Sequence, residues 1–72
     1  MDKDLNLKRF GKRLREIRKQ RKLTQEELAE RIDLSTNFVG MVERGQRNTT
    51  IANVFKMSKA LGIKLSKFFE TL

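Results

Sequence analysis

Hydrophobic residues near the start of the chain recur at steps of three and four positions, the spacing that places side chains on one face of an α-helix. Leu7, Phe10, Leu14 and Ile17 follow this pattern, and charged residues fill most of the positions between them. The pattern predicts a first helix over about residues 5–21.

A capping signal predicts a second, shorter helix. Thr24 lies three residues before Glu27, the spacing at which a hydroxyl and a carboxylate satisfy free backbone N–H groups at a helix start. We expect this helix to run from Gln25 to about Ile32. Its inward-facing side chains are expected to be Leu28, Ala29 and Ile32.

A third helix is predicted over residues 36–44, with Ser35 as its N-terminal cap and Gly45 as the residue that ends it. Asp33 can adopt the conformation that the turn before this helix needs. The residues of the third helix that we expect to face the core are Val39 and Val42.

Two further helices complete the predicted all-α fold. Thr50 can cap a fourth helix that Gly62 closes, and Ser66 begins a short fifth helix. The predicted buried face of the fourth helix consists of Ile51, Val54, Phe55, Ser58 and Leu61, and the fifth helix carries Phe68, Phe69 and Leu72. The sequence contains no proline, low-complexity tract or internal repeat, so one compact domain is expected over residues 1–72.

Composition excludes several classes of site. The 72 residues include neither cysteine nor histidine, so disulfides are excluded, and no metal site or cofactor is expected. No apolar run reaches the roughly 20 residues that span a membrane, and the sequence opens with no signal-peptide pattern. We therefore expect a soluble, cytoplasmic protein with no evident small-molecule ligand.

Positive charge is concentrated in the first third of the chain. Seventeen Lys and Arg against nine Asp and Glu give a formal net charge of +8, and residues 1–23 hold ten of these bases against three acidic residues. This balance favours a polyanionic partner such as nucleic acid. Most bases of the first helix are expected on a solvated face, where they attract a polyanion at long range without contacting it.

The segments LTQEELAER, residues 23–31, and VERG, residues 42–45, resemble the phage Cro and repressor (XRE) family of DNA-binding domains. The resemblance covers about residues 10–69 and implies a five-helix fold like that of lambda repressor, with a helix-turn-helix over residues 25–44. Residues 43–48 and the two phenylalanines near the end are most similar to controller proteins of restriction-modification systems. One departure is Asp33, where the family usually has glycine.

The outward side of the third helix is the predicted DNA-reading surface. Because its two valines face inward, the 100° step between helical residues brings five others outward: Thr36, Asn37, Gly40, Met41 and Arg44. Asparagine can bond two edge atoms of adenine, threonine can hydrogen-bond or touch a thymine methyl, and methionine offers apolar contact. Ser35 joins this set. Gly40 permits close approach to DNA or to the second helix, or it is simply tolerated. For Phe38 the two alternatives are packing at the junction of the second and third helices and contact with DNA.

The resemblance also implies roles for residues around this helix. It assigns phosphate contacts to Gln25, Arg44, Arg47 and Asn48, and a structural ion pair to Arg18 and Glu43. Related proteins bind palindromic half-sites as twofold dimers, and the end of the chain is unusually apolar. We therefore expect a homodimer seam among Leu65, Phe68, Phe69 and Leu72. The alternative is that Leu65 and Phe68 close the core, which leaves Phe69 and Leu72 as the better interface candidates.

These features predict a sequence-specific regulator of transcription that binds double-stranded DNA. A second hypothesis is an antitoxin or another protein-interaction module, although no additional neutralising segment is visible. A third, a cationic helix at a membrane surface, would need the first helix to expose its apolar side chains. An enzyme is not expected, because histidine and cysteine are missing and the carboxylates are scattered over helix surfaces.

Overall fold

A computed structural model describes residues 3–70. It contains four α-helices and a 3-10 helix: α1 (Lys3–Gln20), α2 (Gln25–Arg31), α3 (Thr36–Glu43), α4 (Ile51–Leu61) and the 3-10 helix (Leu65–Phe69). That part of the chain contains no β-strand, so the predicted all-α fold is confirmed. The predicted helix bounds differ from the observed ones by one or two residues.

The residues predicted to cap helices do so in the structure. The side-chain hydroxyls of Thr24, Ser35 and Thr50 each accept the backbone N–H three residues further on. Each bond satisfies one of the N–H groups that have no partner in the first turn of a helix. The starts of α2, α3 and α4 are therefore encoded locally in the sequence.

Residues with positive φ mark the turns between helices. Asp33 has φ +58°, Gly45 has φ +72° and Gly62 has φ +67°, at the three turns for which the sequence predicts a helix end. Gly45 is also needed for space, since a Cβ there would lie 2.8 Å from the Cα of Lys8 on α1. Lys22, φ +57°, has no counterpart in the sequence-based prediction.

The hydrophobic core lies between the four α-helices and the 3-10 helix. Leu14 and Ile17 of α1, predicted to face inward, are buried, and Phe10 packs partly buried against the core. The complete set of buried hydrophobic residues is Leu14, Ile17, Leu23, Leu28, Ala29, Ile32, Val39, Val42, Val54, Met57, Leu61 and Phe68. Because α1 buries its apolar side in this core, it cannot offer that side to a membrane surface.

The buried face of α4 differs from the predicted one. Met57 is completely buried, whereas Ile51 and Phe55 are 61% and 50% exposed, so the prediction that places these two in the core is wrong. At 100° per residue the observed face is rotated by roughly 50° from the predicted one. The rotation turns two large hydrophobic side chains of α4 toward solvent.

The last element is shorter and tighter than predicted. It is a 3-10 helix that starts at Leu65 rather than an α-helix that starts at Ser66. Phe68 is the residue that it buries, with its ring centroid 5.4 Å from that of Phe10. This contact fixes the 3-10 helix against α1.

Candidate nucleic-acid interface

α3 presents one side to the core and the other to solvent. Val39 and Val42 are 0% and 1% exposed, whereas Thr36 and Asn37 are exposed and Met41 is half-buried. The Nδ2 atom of Asn37 donates to the sulfur of Met41 at 3.6 Å, so these side chains touch one turn apart. We refer to Thr36, Asn37 and Met41 as the recognition face.

Arg18 and Glu43 form a buried ion pair between α1 and the end of α3. Nε and Nη2 of Arg18 donate to the two carboxylate oxygens at 2.6 and 3.0 Å, and Nη1 donates to the carbonyl of Leu23 at 2.7 Å. The two side chains are only 9% and 2% exposed. Since both charges are withdrawn from water, each depends on the other for solvation.

Gln25, the first residue of α2, joins this network. Its Nε2 atom donates to Oε1 of Glu43 at 3.1 Å, so three side-chain nitrogens converge on one carboxylate. Gln25 remains half-exposed. The contact holds its amide in one orientation at the surface, where a ligand can reach it.

Gly40 is buried, although its position lies on the outward side of α3. A Cβ at this residue would lie 3.0 Å from Nη1 of Arg44 and 3.6 Å from Oε1 of Gln25. These two side chains therefore lie across the glycine and cover it. The sequence leaves open whether Gly40 permits a close approach or is simply tolerated. This packing agrees with a close approach, made by side chains from α2 and from the end of α3.

The loop after α3 carries the remaining residues predicted to contact DNA. Arg47 places its guanidinium carbon 5.4 Å from the centroid of the Phe38 ring, within the range of a cation–π contact. Asn48 accepts the N–H of Thr49 through Oδ1 at 2.8 Å, and it is exposed. Phe38 is half-buried and packs against the core, which agrees with the helix-junction alternative.

Seven of the eight residues predicted to contact DNA fall into three neighbouring groups. The recognition face lies on α3, Gln25 and Arg44 lie over Gly40, and the loop holds Arg47 and Asn48. Ser35 is exposed at the start of α3, but its hydroxyl oxygen already accepts the N–H of Phe38. It can offer its hydroxyl proton to a further acceptor.

A capping box stabilises the start of α2 beside these groups. The N–H of Thr24 donates to Oε1 of Glu27 at 2.9 Å, and the Thr24 hydroxyl accepts the N–H of Glu27 at 3.0 Å. The backbone hydrogen bond from Thr24 is the main reason that the pKa of Glu27 falls below its ordinary value of 4.5. The ionised carboxylate therefore stabilises the helix that carries Gln25.

Exposed hydrophobic side chains form a second surface feature. Ile51, Phe55 and Phe69 are 61%, 50% and 46% exposed, and we refer to them as the apolar patch. A cavity of about 450 Å³ between α1, α4 and the 3-10 helix is lined by Ile51 and Phe69 and also by Phe10. Loop residues 47–49 line the same cavity, so the patch borders the loop that follows α3.

The four residues predicted to form a dimer seam occupy different environments. Phe68 is 0% exposed because its side chain is buried in the core. Its assignment to the dimer seam is therefore wrong. Leu65 packs half-buried against the core. Phe69 is exposed, and Leu72 lies outside the described residues.

The chemistry of these surfaces consists of amides, guanidinium groups and apolar side chains. In residues 3–70 no three His, Cys, Asp or Glu side chains come together in a way that could hold a metal ion. Over the same range, every helix is too short or too polar to cross a bilayer. What the surface offers is hydrogen-bond donors and positive charge, the groups that bind phosphates and base edges.

Comparison with known proteins identifies relatives that share this sequence pattern. The helix-turn-helix family model matches residues 14–68. Control protein C.MunI from a Mycoplasma species is 40% identical over 65 residues, which cover 89% of this chain and 88% of that protein. Control protein C.BamHI from Bacillus amyloliquefaciens is 41% identical over 56 residues, covering 76% and 69%.

Solved structures share the arrangement of helices. The restriction-modification controller protein C.AhdI from Aeromonas hydrophila matches with a TM-score of 0.88 at 45% identity, covering 90% of this chain and 98% of that one. The controller protein C.Esp1396I, solved as a tetramer in complex with its natural 35 base-pair operator, matches with a TM-score of 0.80 at 31% identity, covering 89% and 84%. The similarity therefore extends over most of each protein.

Proposed function

We propose, from the premise that the chain belongs to the helix-turn-helix family of DNA-binding regulators, that it is a sequence-specific regulator of transcription. It binds double-stranded DNA with α3 in the major groove. It acts in the cytoplasm and has no catalytic role.

The observation that carries this proposal is the orientation of α3. Two buried valines fix the helix so that Thr36, Asn37 and Met41 stand together at the surface. In the major groove, Asn37 bonds the N6 and N7 edge of adenine, and Thr36 and Met41 distinguish bases through hydrogen bonding and contact with a thymine methyl. These three side chains supply sequence preference.

Phosphate contacts come from the groups on either side of the recognition face. Gln25 and Arg44 lie at one side over Gly40, and Arg47 and Asn48 lie in the loop at the other. Contacts to phosphates fix the position and angle of a protein on the duplex without selecting bases. Substitution of these four residues weakens binding to every sequence.

The apolar patch forms the seam of a homodimer. A single module of this size buries too little surface for tight specific binding, and a twofold dimer doubles the contact and reads two half-sites. Ile51, Phe55 and Phe69 supply the exposed hydrophobic area. The expected operator is therefore palindromic, with half-sites about one helical turn apart.

Similarity to control proteins further favours a role in regulating a restriction-modification system. Two of the solved relatives, C.AhdI and C.Esp1396I, are named restriction-modification controller proteins, and C.Esp1396I is bound to its operator as a tetramer. We extend both properties to this chain: it acts on an operator of this kind, and dimers pair on a longer site. These relatives favour regulation of transcription over the antitoxin alternative.

Selection from a pool of random duplexes tests the proposed function. Bound duplexes are recovered and sequenced over several rounds, and affinity is then measured for the enriched sequence and a scrambled one. The expected result is enrichment of one palindrome. A pool that stays random while the protein still binds it would contradict sequence-specific regulation.

A further inference from the structure

A polar cavity lies where α1, α2 and the end of α3 meet. It has a volume of about 380 Å³ and is lined by Arg15, Arg18, Gln25, Glu43 and Arg44. Two of these residues, Gln25 and Arg44, are already assigned to phosphate contacts. Arg15, on α1, has no assigned role, and it lines the cavity together with Arg18, which is already paired with Glu43.

The charge of this cavity is positive because its single acidic group is neutralised from within. Both oxygens of Glu43 accept hydrogen bonds from Arg18, and the remaining Arg18 nitrogen donates to a backbone carbonyl. Arg15 is exposed and makes no ion pair with the side chains of residues 5–70. Arg15 and Arg44 therefore leave the cavity with uncompensated positive charge.

Donors at the cavity are also held in position. Gln25 is fixed by its hydrogen bond to Glu43 and retains a second amide N–H. Arg44 donates through Nε to Oε1 of Gln46 at 2.9 Å, and its Nη1 lies over Gly40. Since Nε is the atom used in that bond, the Nη groups of Arg44 remain available to an anion.

We propose that this cavity seats one phosphodiester of the DNA backbone, with Arg15 of α1 as a phosphate ligand beside Gln25 and Arg44. The inference rests on the proposed function and adds α1 to the DNA-contacting elements. Guanidinium groups suit this ligand because their N–H groups match the geometry of phosphate oxygens. Most other bases of α1 attract DNA only at long range.

Affinity as a function of salt tests the proposal. Fluorescence anisotropy is measured for the selected operator and for a scrambled duplex between about 0.1 and 0.4 M salt, because each phosphate contact contributes about 0.9 to the logarithmic salt slope. Arg15→Gln should lower the slope by about 0.9 per bound protomer and weaken both duplexes by about eightfold per protomer at 0.1 M. Arg15→Lys should retain most of the slope.

Lys12→Gln is the matched control. It removes one positive charge from an exposed position of the same helix that does not line the cavity, so it should change affinity by less than about twofold. If Arg15→Gln and Lys12→Gln change affinity equally, the phosphate site in the cavity is contradicted, whereas the proposed function is not. If the unmodified protein binds the operator and the scrambled duplex equally well, the proposed function is contradicted. The phosphate site can still be tested, because Arg15→Gln should weaken binding to the scrambled duplex.

A change in the DNA gives a test that leaves protein folding untouched. Operator phosphates are replaced one at a time by neutral methylphosphonates, and binding of the unmodified protein should fall at the phosphates contacted by the loop after α3 and at one further position in each half-site, the phosphate in the cavity. At that same position Arg15→Gln and Gln25→Ala should show little further loss. If every methylphosphonate that weakens binding of the unmodified protein weakens binding of Arg15→Gln by the same factor, Arg15 is not a ligand of that phosphate.

Discussion

Glu43 accepts hydrogen bonds from two nitrogens of Arg18 and one of Gln25. The first partner is implied by the family resemblance, but the second depends on how closely α1, α2 and α3 approach. Gly11 allows that approach, since a Cβ there would lie 2.2 Å from the carbonyl oxygen of Val42. A distance of this kind between backbones is set by the packed helices and is not encoded in any local pattern.

Substitution of Glu43 should damage folding before it changes sequence preference. Glu43→Ala leaves the Arg18 charge buried without its partner, so the free energy of unfolding should fall by about 3–5 kcal/mol. Urea denaturation followed by circular dichroism measures this change. Glu30→Ala, at an exposed position of α2, should stay within about 0.5 kcal/mol. A loss below about 1 kcal/mol in Glu43→Ala would contradict the structural role of the pair.

α1 could be predicted from its hydrophobic period, and α2 and α3 could be predicted because period, caps and turn residues agree in each. α4 and the 3-10 helix could not be oriented in the same way. Hydrophobic spacing does not distinguish a core residue from one at an apolar patch, so it places Ile51 and Phe55 in the core and misses Met57. Phe68 and Phe69 are neighbours of one residue type, and only packing decides which is buried.

The capping box of α2 should make stability depend on pH in the acidic range. The folded-state pKa of Glu27 is lowered from 4.5, so its stabilising effect is complete above that value and is lost as pH falls through the folded pKa. Glu27→Gln cannot titrate, so it should be less stable than the unmodified protein at about pH 7, and this difference should disappear once the pH is below the folded-state pKa of Glu27. Thermal unfolding measures the stability of both proteins at each pH. A stability difference that persists at the lower pH would contradict this linkage.

In the whole molecule, one small core supports two surfaces of different chemistry, one polar and one apolar. The groups around α3 offer amide and guanidinium donors, and the apolar patch offers hydrophobic area next to the same loop. The net charge of +8 attracts DNA at long range but does not choose a sequence. The charge and the fold class could be predicted from composition and pattern, whereas the position of the patch required the packed arrangement of α4 and the 3-10 helix.

Dimer formation should depend on the apolar patch. Ile51→Lys places a charge on a side chain that is already exposed, so folding should persist while sedimentation velocity shows a monomer and operator affinity falls at least about tenfold. Ala52→Lys adds the same charge at the next exposed position of α4, where the dimer should survive. Retention of the dimer in Ile51→Lys would place the seam elsewhere.

Base reading by the recognition face is measured by the ratio of operator affinity to scrambled-duplex affinity in Asn37→Ala. Operator binding should weaken by about 1–3 kcal/mol, with relaxed preference at one base pair per half-site, while scrambled-duplex binding stays the same. Arg47→Ala should weaken both duplexes alike. If the ratio in Asn37→Ala equals that of the unmodified protein, Asn37 does not read bases and the assignment of the recognition face is wrong.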